Sequence, residues 1–482
     1  MNQSNPSPLS AKPRPSRARF VFLAYAAALS LILYLDRNCI AQAADSIAHE
    51  LELNKVALGW VFSAFTFGYT LFEIPSGAWG DRYGPKRVLC RIVVCWSVFT
   101  ILTGCIWNFS CDTGLRWRWQ SVGLEVPLVF DGFLLLLLLR FFFGVGEAGA
   151  YPNLAKCTSR WFPATERGLA QGVVATAGRV GSGLAFGATL AIASVTDAYL
   201  WPGAGWRVAF YVFGLLGIGW ALLFHRWFRD TPADHPDVNE AELAWIAGGI
   251  PHGCRLSPTP PPTTPWPALL ASGNLWAYSA MACGSTFVFY FYMSFFATYL
   301  SERHALPPAW GWVAGLPLIV GSLGCALGGF WTDWLVRRTG SRRWGRRLAG
   351  LAGKGGGAIC LLLAAGCRHT EWVVLWIALA AFASDTALAA QWAVATDTGG
   401  RFVGTVFGFM NTFAGLGGAL SPVLVGFLLE QRSPTVDGRF NLLARQQAWD
   451  LVLGIFAAGL AFAALCWLRI DADEPMASTA AS

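Results

Sequence analysis

The sequence predicts an all-α polytopic membrane protein, with twelve spanning helices in two pseudo-symmetric halves of six. Three observations lead there. The 482 residues are 55% hydrophobic and only 13% charged, with 24 Trp and 34 Phe, whereas soluble domains carry about 25% charged residues. Apolar segments of roughly 20 residues recur along the whole chain, each long enough to cross a ~30 Å hydrocarbon core. One pattern also occurs twice, as GAWGDRYGPKR after the second segment and GFWTDWLVRRTGSRR after the eighth. Each copy has a Gly, three residues, an Asp, and then basic residues around a Gly.

In chain order, residues 1–19 read as a cytosolic tail. The segment that follows is too long and too polar, through LYLDRN, to be a cleaved signal peptide. The first half, residues 20–228, supplies spans at Phe20–Ala41, Val56–Trp79, Val88–Trp107, Phe133–Cys157, Gly168–Val195 and Val208–Phe228. Residues 229–273 read as a polar, Pro-rich cytosolic linker, with Asp237–Ile246 as a short surface helix and the proline run as a stiff spacer. The second half, residues 274–468, supplies Asn274–Leu300, Trp310–Val336, Leu348–Ala365, Trp372–Thr396, Val403–Leu429 and Trp449–Leu468, with residues 469–482 as a second tail. Duplicated six-helix halves are a transporter architecture, with the site expected between them near the midplane.

The net charge of +7 is a topology signal. Arg14, Arg17 and Arg19 precede the first span, Arg82, Lys86 and Arg87 follow the second, and Arg337, Arg338, Arg342 and Arg343 follow the eighth. Basic residues mark the cytosolic side, so both termini are expected there, in the inner membrane. No basic cluster with interleaved aromatics suggests nucleic acid. The 12 cysteines form no framework, and only Cys105 and Cys111, near one outer loop, are placed to pair. No spaced His, Cys or carboxylate set suggests a metal, and no nucleophile constellation suggests an enzyme. GKGGGA at Gly353 lacks the ending of a phosphate loop. No cofactor is expected.

At the repeated pattern the chain resembles the major facilitator superfamily. Gly77, Asp81, Arg82, Gly84, Lys86 and Arg87 match its signature loop, a gating element between the second and third helices. A narrower resemblance rests on LDRN at Asp36, the stretch from Arg140 to Pro152, and RWFPATERG from Arg160 to Gly168. These resemble the anion:cation symporter family, which includes sugar-acid and aromatic-acid permeases, sialin and the vesicular glutamate transporters. The resemblance implies uptake of an organic anion, usually driven by protons. It also implies site residues at Asp36, Arg37, Tyr69, Arg140, Glu147 and Asn411.

The residues carry their own argument. Insertion of an arginine at the centre of a membrane helix costs about 2.5–3.5 kcal/mol, so Arg140 and Glu147 in one span call for a reason. Seven positions apart, they share a helix face, and Tyr151 extends that stripe. Asp36 and Arg37 are adjacent and cannot face each other, so each needs a partner on another helix or a ligand. An arginine fork suits a carboxylate ligand, and a carboxylate in the same dry cavity is suited to exchange protons. Arg37, Arg140 and Tyr151 are therefore expected to bind the anion, with Asp36 and Glu147 coupling protons, and the resemblance adds Tyr69 and Asn411 to the binding set. The plain alternative is a permanent set of buried ion pairs that fixes the packing.

Asp81 is expected to meet basic groups or a helix N-terminus of the other half, closing a cytosolic gate. Asp385, Lys354 and Arg179 are further intramembrane charges without an assigned role, although Lys354 is placed to snorkel or to pair with Asp385. The expected partners are a small organic anion, protons (with sodium as the alternative ion) and lipid, and the expected state is a monomer. The reading is a proton-coupled importer of an organic anion, a sugar acid such as a hexuronate or aldonate. Its rivals are an aromatic-acid or other monocarboxylate permease, a drug/proton antiporter and a non-transporting sensor.

Overall fold

In a computed structural model of the chain, residues 14–53, 55–119, 124–247, 263–305, 313, 315–433 and 441–476 are described. The first half comprises α1 (Ala18–Glu50), α2 (Lys55–Tyr83), α3 (Pro85–Gly104), α4 (Gly132–Glu147), α5 (Ala150–Trp161), α6 (Arg167–Tyr199) and α7 (Gly205–Trp227). Two short helices follow, α8 (Glu240–Ile246) and α9 (Trp266–Ala271). The second half comprises α10 (Gly273–Ser294), α11 (Phe296–His304), α12 (Leu316–Thr339), α13 (Arg342–Gly366), α14 (Thr370–Thr398), α15 (Val403–Arg432) and α16 (Leu442–Trp467). Among the described residues, 11 helical spans are long and apolar enough to cross a membrane, with α4 and α5 counted as one. The pair α10 and α11, bent by 59° at its break, brings the number to 12. The chain is a multi-pass helical membrane protein.

The fourth span is not the continuous helix expected. α4 stops at Glu147 because Ala148 is extended (φ −56°, ψ 136°) and Gly149 is left-handed at φ 85°. Only glycine suits this corner, since it tolerates that φ and a Cβ here would run into Ser76. Pro152 therefore lies in the first turn of α5, where an amide would have no intrahelical partner anyway. It does not strip a bond from Ala148 within a helix, and Tyr151 begins a new helix instead of continuing the Arg140–Glu147 stripe.

The connection between α3 and α4 also departs from an all-helical reading. β1 (Ser110–Trp119) and β2 (Leu124–Asp131) form an antiparallel hairpin in which Ser110 faces Asp131 and Trp119 faces Leu124. The alternation in LRWRW is the period-2 signature of a strand. Cys105 and Cys111 are both free thiols, so the expected pairing is not formed.

The halves meet along two seams, α2 against α15 and α6 against α12. Of the linker, residues 248–262, including most of the proline run, lie outside the described residues, as do residues 1–13 of the first tail and 477–482 of the last. The rest of the first tail is clamped to α8. Asn239 caps α8 by accepting from the Glu242 amide at 2.9 Å. The buried Glu242 carboxylate accepts from the amides of Ala18 at 2.9 Å and Arg19 at 3.1 Å, from the Arg19 guanidinium at 3.1 Å, and from the Ser16 hydroxyl. An anion there satisfies the first amides of α1. Glu166, from RWFPATERG, accepts from Arg19 Nε and from Trp245 Nε1, both at 2.9 Å.

Burial pushes the Glu242 carboxyl up, but the hydrogen bonds from Ser16, from the amides of Arg19 and Ala18 and from the Arg19 side chain outweigh it and hold the group below the ordinary glutamate value. A depressed folded value stabilises fully above the unfolded value of about 4.3, and the stabilisation is lost as pH falls through the folded value. Glu242→Gln is expected to cost about 1–2 kcal/mol at neutral pH, the scale of a lost cap. The difference in thermal unfolding between wild type and variant should close as the pH drops below about 4. A gap that stays constant with pH would assign the clamp to side-chain shape instead of charge.

Candidate functional site

Asp36 and Arg37, neighbours on α1, turn to different partners. Arg37 Nε donates to Glu147 Oε1 at 2.8 Å, and its Nη2 reaches the same oxygen. The guanidinium lies 5.1 Å from the Tyr34 ring centroid, 5.3 Å from that of Phe65 and 4.9 Å from that of Tyr69. Asp36 Oδ2 accepts from the Trp96 indole on α3 at 2.9 Å. Arg140, 2% exposed, packs its guanidinium 4.4 Å from the Phe143 ring and 5.3 Å from the Phe65 ring. No carboxylate among the described residues pairs with it. Two arginines and two acids thus do not simply neutralise each other: one ion pair forms, one arginine rests on aromatic faces, and one acid rests on an indole.

Among the described residues, three buried atoms in this neighbourhood have no protein hydrogen-bond partner: Asp36 Oδ1, Glu147 Oε2 and Arg140 Nε. A buried polar atom left unpaired costs about 1–3 kcal/mol.

Asn411 goes to a residue that the sequence reading missed. Its amide donates to Glu73 Oε1 at 3.0 Å, from α15 across to α2. Glu73 is fully buried, and its other oxygen accepts from the Gly149 amide at 3.0 Å, at the break between α4 and α5. The signal is present in TLFEIPSG, an acid in the middle of an apolar span. The Tyr151 hydroxyl is 2.8 Å from that of Ser30, and its ring is 5.0 Å from Trp392 of the other half.

A second charge set joins the halves across the α6 side. Arg179 Nη2 donates to Asp385 Oδ2 at 2.8 Å, with its guanidinium 4.1 Å from the Phe289 ring. Lys354 does not pair with Asp385 and does not snorkel. Its ammonium is buried and donates to the Ser384 carbonyl at 3.1 Å and hydroxyl at 3.0 Å. Asp385 is already taken by Arg179.

At the basic face the repeated pattern forms reciprocal caps. Asp81, at the end of α2, accepts from the amides of Gly404 at 3.0 Å and Thr405 at 2.7 Å, the first turn of α15, and from the Thr405 hydroxyl at 2.8 Å. Asp333, at the matching point of α12, accepts from the amides of Gly168 at 3.0 Å and Leu169 at 2.6 Å, the first turn of α6. Each aspartate also meets a cation of its own half, Lys156 at 2.6 Å and Arg346 at 2.7 Å respectively. Arg346 further pairs with Asp397 at 3.1 Å, and Arg167 reaches Asp397 from the other half at 3.0 Å. The approach depends on glycine: a Cβ on Gly77 would strike the carbonyl of Gly404, and one on Gly404 that of Gly77.

Of the six residues in the first copy of the pattern, Gly77 and Asp81 make these contacts across the halves. Gly84 adopts φ 89° beside Asp230, which accepts from the Lys86 amide at 2.9 Å. Arg82 lies 5.4 Å from its neighbour Tyr83, and Arg82 and Arg87 are exposed. Lys156, Arg167, Arg346 and Asp397 were not singled out from the sequence, because their meaning appears only when two helix ends face each other. Among the described residues, hydrogen bonds and ion pairs between the halves lie at the basic face or midway across, and none lies at the opposite end.

The profile of the Major Facilitator Superfamily matches residues 26–422. The chain is 31% identical over 417 residues to the probable sulfoacetate transporter SauU of Cupriavidus necator, covering 86% of this chain and 88% of that one. It is also 31% identical over 420 residues to the probable galactarate/D-glucarate transporter GudP of Bacillus subtilis, covering 85% and 84%. The structure resembles that of the proton:xylose symporter XylE bound to 6-bromo-6-deoxy-D-glucose, with a TM-score of 0.65 at 14% identity over 95% of this chain and 98% of the other. At that identity the likeness speaks to the fold alone.

Asp81→Ala is expected to weaken the cap by about 1–2 kcal/mol, which corresponds to roughly tenfold faster hydrogen exchange at the first-turn amides of α15. Asp333→Ala should do the same to the first-turn amides of α6. Unchanged exchange in both variants would show that the caps do not hold the halves.

Proposed function

Since this chain belongs to the Major Facilitator Superfamily and is a membrane transporter, not an enzyme, we propose that it imports a small organic anion, a sugar acid such as a hexuronate or aldonate, by proton symport with alternating access. The observation that carries this reading is the uneven pairing around Arg140. That arginine is buried against aromatic rings with no carboxylate on it, while Glu147 holds Arg37 through one oxygen and leaves the other without a partner.

The basic face is taken as the cytosolic side, with both termini there and the protein in the inner membrane. The described arrangement is then closed towards the cytosol through Asp81 and Asp333. An entering carboxylate meets Arg140, whose planar fork donates two parallel hydrogen bonds. Its remaining acceptors compete with Glu147 for Arg37. A buried carboxylate deprived of its counter-charge is strongly disfavoured, so Glu147 takes up a proton when substrate occupies Arg37. Anion and proton then favour each other's binding, which is the requirement of symport. Asp36, one residue from Arg37 and held through a single oxygen, is the second proton-exchanging group. Tyr69, Tyr151 and Asn411 supply the polar and aromatic walls for a hydroxylated acid.

With the cavity loaded and neutralised, the halves rock. The caps at Asp81 and Asp333 release the first turns of α15 and α6, and the site opens to the cytosol. Arg82, Gly84, Lys86 and Arg87 shape the loop that carries Asp81. The carrier works as a monomer, and sodium is the alternative coupling ion.

Two measurements test this reading. Arg140→Lys keeps the charge and loses the fork, so affinity for the transported acid is expected to fall by about 1.5–3 kcal/mol. Equal binding by the lysine variant would make Arg140 a packing residue. Glu147→Gln mimics the protonated acid. Exchange of internal for external substrate is expected to persist in proteoliposomes, while uphill accumulation driven by a pH gradient disappears. A variant that still accumulates substrate would move the coupling role to Asp36 or Glu73. Uptake by the parent protein that follows sodium and ignores the pH gradient would replace the proton in this scheme.

A further inference from the structure

Arg179, Asp385 and Lys354 take no part in that mechanism, yet their placement ties them to it. Asn38, the neighbour of Arg37, donates to Ser182 Oγ at 3.0 Å. Ser182 is three residues beyond Arg179 and Asn38 one beyond Arg37, so Arg179 lies only about 3 Å nearer the basic face than Arg37, at 1.5 Å rise per residue. Gly178, next to Arg179, sits against the ring of Tyr34, and the same ring lies 5.1 Å from the Arg37 guanidinium. Arg37 and the backbone next to Arg179 therefore meet at one tyrosine, at nearly one depth.

The side chains of Arg37, Arg179 and Asp385 keep 21%, 15% and 13% of their surface accessible, so none of the three is sealed as Arg346 and Asp397 are at 0%. The charges around Asp385 are also unbalanced. Arg179 and Lys354 bring two cations to one carboxylate, and Lys354 is satisfied only by the carbonyl and hydroxyl of Ser384. Finally, the Arg179–Asp385 pair crosses from α6 to α14, so it is strained or broken whenever the halves separate there. Parting a buried pair without replacement is strongly unfavourable.

We propose that Arg179, with Lys354 behind it, is a second anion-binding arm of the same cavity. The substrate is then an acid with two charged ends: one end reaches Arg37 and Arg140, and the other replaces Asp385 on Arg179. This inference rests on the anion-carrier reading above and narrows it from sugar acids in general to short dianions.

D-glucarate and D-glucuronate share a carbon skeleton and differ by the second carboxylate, so they separate the two arms. Binding and uptake of both would be measured with the purified full-length protein in proteoliposomes. The wild type is expected to prefer D-glucarate. Arg179→Gln should raise KM for D-glucarate by about tenfold or more, as a site that has lost a partner for a substrate's polar end does, and leave D-glucuronate within about twofold. Arg179→Gln combined with Asp385→Asn leaves the net charge of the set unchanged and should show the same selective loss. Asp385→Asn alone frees the arginine and should tighten D-glucarate binding. Equal losses for both acids, or none, would make the pair a structural bridge and overturn the inference. D-glucuronate uptake without preference for D-glucarate would overturn it while leaving the anion-carrier reading intact. A wild-type protein that binds neither acid would remove both.

Discussion

At the basic face the carboxylate of Asp81 accepts from the first amides of α15, and that of Asp333 from the first amides of α6. The rest of the interior depends on this exchange. The first amides of any helix lack intrahelical partners and carry the positive end of its dipole, so a carboxylate supplied by another helix satisfies both needs at once. It can do so only where the backbones come close. Gly77 meets Gly404 on one seam, and a Cβ on Gly329 would come within 2.9 Å of the Gly168 carbonyl on the other. Farther in, the first seam brings Asn411 to Glu73, and beside the second α6 brings Arg179 to Asp385 on α14. Two copies of one sequence pattern produce two copies of one contact, each aspartate reaching into the opposite half.

Inside the bundle the charges are not spread evenly. Arg37, Glu147, Asp36 and Arg140 belong to the first half, and three atoms among them lack a partner. Glu73 is held through both oxygens by groups on α15 and at the start of α5. Glu73 and Asp81 are bonded through both oxygens, while Glu147 and Asp36 each keep one oxygen without a partner among the described residues. The difference arises from helix geometry. Glu147 is the last residue of α4, and the left-handed Gly149 turns the chain away immediately after it.

Much of this was legible in the sequence, for reasons that differ by residue. Spans are written in the length of apolar runs, and each of the twelve expected segments overlaps a helix, with the start of Trp310–Val336 lying outside the described residues. The repeated Gly-to-Asp pattern could be read because a carboxylate at a helix end has few uses inside a membrane protein. Glu73 was equally visible as an acid in an apolar run and was overlooked. The break at Gly149 was not legible, because a glycine beside a proline is compatible with both a kinked helix and a divided one. Only contact with Ser76 on α2 decides between them. The identity of ion-pair partners was out of reach altogether. Asp385 had two cations within plausible span, and the choice of Arg179 over Lys354 depends on how α6 and α14 face each other.

The clamp at Glu242 bears on where this molecule divides. Measured by hydrophobicity, the first half ends with α7 and everything up to α10 is connector. Measured by bonds, α8 belongs to the first half, since Glu242 and Asn239 hold the segment from Arg14 to Arg19, and Trp245 reaches Glu166. Two polypeptides meant to reassemble into one carrier should therefore be separated beyond Ile246, so that the leading fragment keeps the lock on its own first helix. A tag joined directly at Ser16 would compete with that lock, whereas one placed well upstream would leave it undisturbed.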